Sequence, residues 1–247
     1  MRQGLRLTSV VSLAALALLA VPPGAGASAT PAPAHWWQAE GNANDTAGTN
    51  VRPDNGTLKG AGFGPGVHGT DQAFSFAGGG QQVVFNKTGG NRHRGDFTLS
   101  FDIKTTATAQ QAVWEKRIAC DTDGTPFWGF RMSGTGQPVG SIGFEYGTPP
   151  PSYSATSTTS INDGAWHQVA ATRHGRTVKL YIDGTLEATT TSPATRYLAN
   201  DAPMRAGVST CDGVDGTVAF TGELDELMIF RSALTQPQIQ ALGRSAG

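Results

Sequence analysis

Alternation of apolar and polar residues runs through most of this chain. In FTLSFDIKT, Phe97, Leu99, Phe101 and Ile103 fall on one face, and Thr98, Ser100 and Asp102 on the other. That is the period of a half-buried β-strand. QAFSFAGG, QQVVF, AVWEKR, FWGFRM, GSIGFEYG, MRAGVS and GELDELMIF read as further strands. The stretch WHQVAATRHGRTVKLYIDGTLEATT carries turn signals at His174-Gly175 and Asp183-Gly184 and predicts a three-stranded meander. Helical signals are confined to the tail, SALTQPQIQALGRS. There Thr235 can cap, Pro237 sits in the first turn and Gln238 stands three residues after the cap, with Ile239 and Leu242 as a short apolar edge. TPPPSYSATSTTS and KTGGNRHRGD are expected to be surface loops, with Arg92, His93 and Arg94 in a solvated turn. Many short strands and one short helix predict an all-β, two-sheet antiparallel jelly-roll sandwich.

Composition narrows the function. Charged residues make up 15% of the chain and the net charge is -1, so there is no electrostatic footprint for nucleic acid or an anionic membrane. The 33 glycines suit many tight turns. Residues 1–29 begin with Arg2 and Arg6, continue through an apolar run from Val10 to Val21 and end in small residues at Ala27 and Ala29. They read as a secretory signal peptide, with cleavage expected after Ala27 or Ala29. Residues 30–35 follow as a Pro/Ala linker and residues 36–247 as one domain. The mature protein is expected to be secreted, monomeric and free of membrane. In an exported chain Cys120 and Cys211 are expected to form a disulfide, which would contribute up to roughly 4–5 kcal/mol; two unpaired thiols are the disfavoured alternative.

Four stretches in order resemble a known family. They are WWQAEGNANDTAGTN with DNGTLKGAGFGPGVHGTDQAFSFAGG, then FTLSFDIKT, then NDGAWHQVAATRHGRTVKLYIDGTLEAT, and finally FTGELDELMIFRSALTQPQIQAL. Together they resemble the LamG-like jelly-roll domains of the concanavalin A-like lectin/glucanase superfamily. WEKRIAC, FWGFRM, FEYG and GVSTC resemble a bacterial secreted subgroup of that family, in agreement with a Cys120–Cys211 pair. One departure lies at Phe76-Ala77-Gly78-Gly79, where the family usually has an Asp- or Asn-Gly pair.

The resemblance raises two questions about GELDELMIF. Laminarinases and lichenases of the superfamily carry E-x-D-x-E or E-x-D-x-x-E on one strand, with two Glu as nucleophile and general acid. Glu223 and Asp225 match the first two places, but the third falls on Leu227 or Met228. Strand alternation places Glu226 on the face opposite Glu223 and Asp225. The general acid is therefore missing, and no hydrolysis is expected here. The resemblance also implies a structural Ca2+, held by Asp225 with carbonyls near Gln38 and Gly78; a hydrogen bond from backbone N–H or water explains Asp225 equally well. CDTDG and CDGVDG match no calcium-loop pattern and read as turns.

A sugar site needs an aromatic platform and polar groups that read hydroxyls. Trp114, Trp128, Tyr146 and Tyr153 are the candidate platforms, with Glu115, Lys116, Arg131 and Glu145 near them in sequence. In FWGFRM, Trp128 shares a face with Phe130 and Met132, which reads as core, whereas Arg131 shares the other face with Gly129. Arg131 and Glu145 can also simply pair across neighbouring strands. Trp114, Arg131 and Tyr146 are taken forward as ligand-binding candidates. The expected function is a non-catalytic secreted module that binds a polysaccharide or other glycan. The alternatives are a structural or protein-interaction domain without a sugar site, and a glycoside hydrolase or lyase of the same fold.

Overall fold

The computed structural model describes residues 29–48, 52–120, 125–134, 142–147, 152–214 and 216–244. The expected signal peptide, residues 1–29, lies outside them except for Ala29, as does most of CDTDG. The strands in chain order are β1 (His35–Trp37), β2 (Thr57–Lys59), β3 (Gly62–Pro65), β4 (Gln72–Ala77), β5 (Gln82–Val84), β6 (Phe97–Lys104), β7 (Gln111–Lys116) and β8 (Phe127–Met132). They continue as β9 (Ile142–Gly147), β10 (Ser152–Thr156), β11 (Trp166–His174), β12 (Thr177–Ile182), β13 (Thr185–Thr191), β14 (Met204–Ala206), β15 (Val218–Ala219) and β16 (Thr221–Phe230). Among the described residues one helix, α1 (Gln236–Arg244), follows.

Two sheets of eight strands form the sandwich. The first runs β13-β12-β11-β6-β16-β4-β3, with β1 also paired to β16; the second runs β10-β9-β8-β7-β14-β5-β2, with β15 paired to β7. Alternation explains the layer between them. Phe97, Leu99, Phe101 and Ile103 of the first sheet meet Trp128, Phe130, Phe144 and Tyr146 of the second in one core. Edge-on packing of Phe101 on Phe130, with ring centroids 4.8 Å apart, typifies the contact. The meander forms as expected: Gly175, Asp183 and Gly184 all take positive φ, which a tight hairpin turn requires.

The outer face of the first sheet is covered by α1, whose Ile239 packs with Leu234 on Phe230, Tyr181 and Ala170. A side-chain cap starts this helix: the Thr235 N–H donates to Gln238 Oε1 at 2.9 Å and the Thr235 hydroxyl to the same oxygen at 3.1 Å. The segment expected as a linker is drawn onto the same face. Ala34 N–H donates to the Ile229 carbonyl, and Gln238 reaches the Ala29 carbonyl at 3.2 Å.

Three local expectations are corrected. SYSAT is a strand, β10, paired along β9, although its Ser/Thr-rich setting reads as loop. Arg92 is buried instead of solvated, at 8% exposure. In β16 the alternation breaks. Asp225 pairs with Asp102 and Met228 with Ser100, so three steps on β16 match two on β6. This bulge lets Leu224 and Leu227 both enter the core. Glu226, at φ 50°, turns to the outer face, contrary to the simple alternation rule.

Candidate functional site

The solvent face of the second sheet carries a polar groove. Gly129 and Arg131 of β8 alternate with the core residues Trp128, Phe130 and Met132. Arg131 stands opposite Gly143 and Gly129 opposite Glu145, so each long side chain faces a glycine on the next strand. The resulting hollow of about 180 Å³ is lined by Arg131, Glu145, Gln110, Ser133, Ser154 and Thr156. Arg131 Nε lies 3.7 Å from Glu145 Oε2, and Arg117 reaches the same oxygen at 3.5 Å. Arg117 stacks over Phe127 with its guanidinium carbon 3.6 Å from the ring centroid. The groove thus presents donors, acceptors and hydroxyls on a rigid sheet, which suits recognition of hydroxylated ligands.

Two of the three ligand-binding candidates are elsewhere. Trp114 is fully buried and packs edge-on against Trp128, Phe101 and Trp37. A bulge between Ala112 and Trp114 puts Val113 and Trp114 both into the core. Tyr146 is 1% exposed and packs between Phe144 and Tyr153. Neither ring can stack on a ligand. Tyr153 is half-buried beneath the Arg196 guanidinium, which also donates to its hydroxyl at 2.9 Å. Only Arg131 reaches the groove.

Neighbouring polar residues are structural. Glu115 accepts from Ser209 Oγ at 2.7 Å and from the Thr210 N–H at 3.0 Å. Ser209 Oγ in turn accepts from the Cys211 N–H at 2.9 Å, so Glu115 anchors the loop that carries the disulfide. Burial pushes the Glu115 carboxyl up, against these hydrogen bonds. The Cys120–Cys211 disulfide is formed, with Cα atoms 4.9 Å apart. Lys116 turns inward and donates to the Lys87 and Ala202 carbonyls; burial lowers its pKa to about 8.

A second cluster lies on the outer face of the first sheet, where the β16 bulge brings acids together. Asp225 is fully buried; its Oδ2 accepts from the Val67 N–H at 3.0 Å and its Oδ1 from the Glu226 N–H at 2.8 Å. Glu226 accepts from Trp36 Nε1 and lies 3.9 Å from His68 Nε2. Asp102 is 9% exposed and has no hydrogen-bond or salt-bridge partner among the described residues. Burial, followed by the charges of Glu226 and Asp225, pushes Asp102 up to about 8. Burial also raises Glu226 to about 7 and Asp225 to about 6. A hollow of about 400 Å³ beside them is lined by Trp36, Gln38, His68, Asp102, Gln168 and Glu226.

The expected calcium ligands do not meet there. Trp37 pairs with Leu227, so Gln38 follows on beside Glu226. Gly78, however, donates its N–H to Phe220, five residues before Asp225 on the extended strand. At about 3.3 Å per residue that is roughly 16 Å away, whereas calcium–oxygen bonds are about 2.4 Å long. The turn that does reach Asp225 is Gly66–Asp71. A side chain at Gly66 would strike both carboxylates, with Asp71 Oδ1 at 2.3 Å and Asp225 Oδ2 at 2.9 Å. Among the described residues, no group of three or more His, Cys, Asp or Glu side chains is arranged to hold a metal.

Solved structures share this architecture. The binding domain of Paraclostridial mosquitocidal protein 1 aligns with a TM-score of 0.66 at 15% identity, over 86% of this chain and 52% of that one. Domain 4 of AbnA, an extracellular arabinanase from Geobacillus stearothermophilus solved with arabinotriose, aligns at 0.65 and 19%, over 85% and 97%. The botulinum neurotoxin serotype D ligand-binding domain solved with N-acetylneuraminic acid aligns at 0.63 and 16%, over 87% and 51%. The chain spans about half the length of the two toxin domains it matches. At these identities the likeness is one of fold. No curated protein sequence matches the chain. A laminin G-type family model, that of the concanavalin A-like lectin/glucanases superfamily, matches residues 77–240. Four ordered motifs, a two-sheet jelly roll and a family match over more than half its length agree: the chain belongs to the concanavalin A-like lectin/glucanase superfamily.

Proposed function

We propose that this protein is a secreted, non-catalytic module that binds a glycan in the polar groove on the second sheet. The observation that carries this reading is the convergence of Gln110, Arg131, Glu145, Ser154 and Thr156 on one solvent-facing hollow of the second sheet. Hydroxyl-rich ligands are recognised by such paired donors and acceptors. Two structural neighbours in complex with saccharides, arabinotriose and N-acetylneuraminic acid, support a binding role for this fold. Asp102, Asp225 and Glu226 cluster on the other sheet, away from the groove; Glu115, the raised acid nearest the groove, is buried and tied to the disulfide loop through Ser209 and Thr210; and Leu227 and Met228 occupy the places where a hydrolytic strand needs its last Glu. Affinity electrophoresis in gels containing soluble polysaccharides tests the reading, with a reducing-sugar assay alongside. Retardation by at least one polysaccharide without sugar release is expected; sugar release would make the protein a hydrolase.

A second reading has its own observation. Trp114, Trp128 and Tyr146 are all in the core, so none of these rings stands as a platform on the groove. A protein-interaction or structural domain needs no such platform. It predicts no retardation in any polysaccharide gel. A structural calcium at Asp225, if bound, would draw its other oxygens from the Gly66–Asp71 turn and the Gln38 backbone, and not from Gly78. A rise in Tm with calcium that Asp225→Ala abolishes is its test.

A further inference from the structure

A third hollow, of about 450 Å³, opens where the loop between β5 and β6 meets the end of β16. Arg92 and Arg231 line it, with Thr88, Asn91, His93 and Asp96. Arg92 is more than nine-tenths buried. One of its guanidinium nitrogens donates to the Gly89 carbonyl at 2.6 Å, while Nε is buried with no partner. No carboxylate lies within ion-pair distance of Arg92 or Arg231 among the described residues. The charged neighbours of Arg92 are themselves cations, Arg231 and Arg173. The acids nearby are engaged elsewhere. Asp96 accepts from His174 Nδ1 at 2.7 Å and from the Gly175 N–H at 2.8 Å. Asp45 is held by His35 at 2.7 Å.

Burial has opposite consequences for the two signs of charge in this molecule. Asp102 can shed its charge by taking a proton. A guanidinium keeps its proton across the physiological range, so a buried one needs a counter-charge or a full set of acceptors. Arg173, whose Nε is likewise buried without a partner, shows the better-satisfied form. It donates to the Arg196, His93 and Gly95 carbonyls and stacks on Phe97. Arg92 has one carbonyl and an open hollow. Its planar fork, with Arg231 beside it, matches a carboxylate. Asn91, whose side-chain oxygen accepts from the Asn200 N–H at 3.1 Å, and Thr88 line the hollow beside the two arginines and bring an amide and a hydroxyl to it.

We propose that the Arg92–Arg231 hollow is a second ligand site, taking the carboxylate of an acidic saccharide while Asn91 and Thr88 bind its hydroxyls. The saccharide part rests on the glycan-binding reading above; the anion part does not.

Isothermal titration calorimetry of the full mature protein tests it, with trigalacturonate, its methyl ester and sodium sulfate as probes. The expected results are a trigalacturonate Kd of about 1 mM or tighter, at least tenfold weaker binding of the uncharged ester, and at least fivefold loss in Arg231→Gln. Arg231 is exposed, so that variant keeps its fold even if Arg92→Gln does not. Absence of trigalacturonate heat, equal binding of acid and ester, or indifference to Arg231→Gln overturns the proposal. Sulfate binding as tight as trigalacturonate overturns its saccharide part. Binding of neutral glycans that Arg131→Ala abolishes, with no response to trigalacturonate, overturns this inference and leaves the groove reading standing.

Discussion

Asp102 sits opposite Asp225, and burial, followed by the charges of Glu226 and Asp225, displaces its ionisation from 3.8 to about 8. In the unfolded chain it loses its proton near its ordinary value; in the folded chain it holds it until about pH 8. Between these values the unfolded state is the one that gains from ionising, so stability falls as pH rises from about 4 to about 8. Melting curves in a chelating buffer should show Tm lower at pH 8 than at pH 5 by roughly 5 °C or more, and Asp102→Asn should remove much of that slope. An equal slope in the variant would place the effect elsewhere. None of this burial was legible from the residue alone. Asp102 alternates out of the core as the pattern says, and only the covering segments and the β16 bulge enclose it. Arg92 fails in the same way: NRHR reads as a charged turn, and its burial depends on packing from β14's flank and β16, distant in sequence.

At the scale of elements, period-two alternation was enough to find β4 to β9, the β11–β13 meander, β14 and β16, because their apolar residues recur at every second position, even in β6, which is covered on both faces. It could not find the bulges. One extra residue in β16 is defined against β6, and that partner is 119 or more residues away in sequence only after folding has chosen the register. The same limit misplaced Trp114, whose parity is reset by the bulge in β7. β10 was hidden for another reason: its Ser/Thr composition resembles a loop, and its pairing with β9 makes it a strand. Gly222 gives this scale its sharpest prediction. At φ 141° it lets β16 pass within 2.4 Å, for a built Cβ, of the Lys104 carbonyl. Gly222→Ala should cost about 3 kcal/mol or more and lower Tm by roughly 6–12 °C. A thermal melt within 2 °C of the parent would show that the strand can shift at no cost.

Across the whole molecule, the disulfide ties the end of β7 to the loop after β14 over a sequence separation of 91 residues. Glu115 and Ser209 hold the same junction by hydrogen bonds. Replacing both cysteines by serine should lower Tm by roughly 5–15 °C, from about 2–4 kcal/mol of lost loop constraint. The groove should survive, because Arg131 and Glu145 are placed by β8 and β9 and not by that loop. Fold and disulfide were readable from alternation, turn chemistry and cysteine count. The sites were less so, since the sequence names aromatic and charged residues but not the face each one takes. Arg131 was found because it shares a strand with residues whose burial is unmistakable.

The most direct test is a glycan array probed with the mature protein and with Arg131→Ala, the two matched for Tm. Binding by the parent to a defined set of glycans, reduced at least tenfold in the variant, is the predicted result, as expected when about 1.4 kcal/mol or more of polar recognition is removed. No glycan bound by the parent, or the same glycans bound equally by the variant, would contradict a sugar-binding groove on the second sheet.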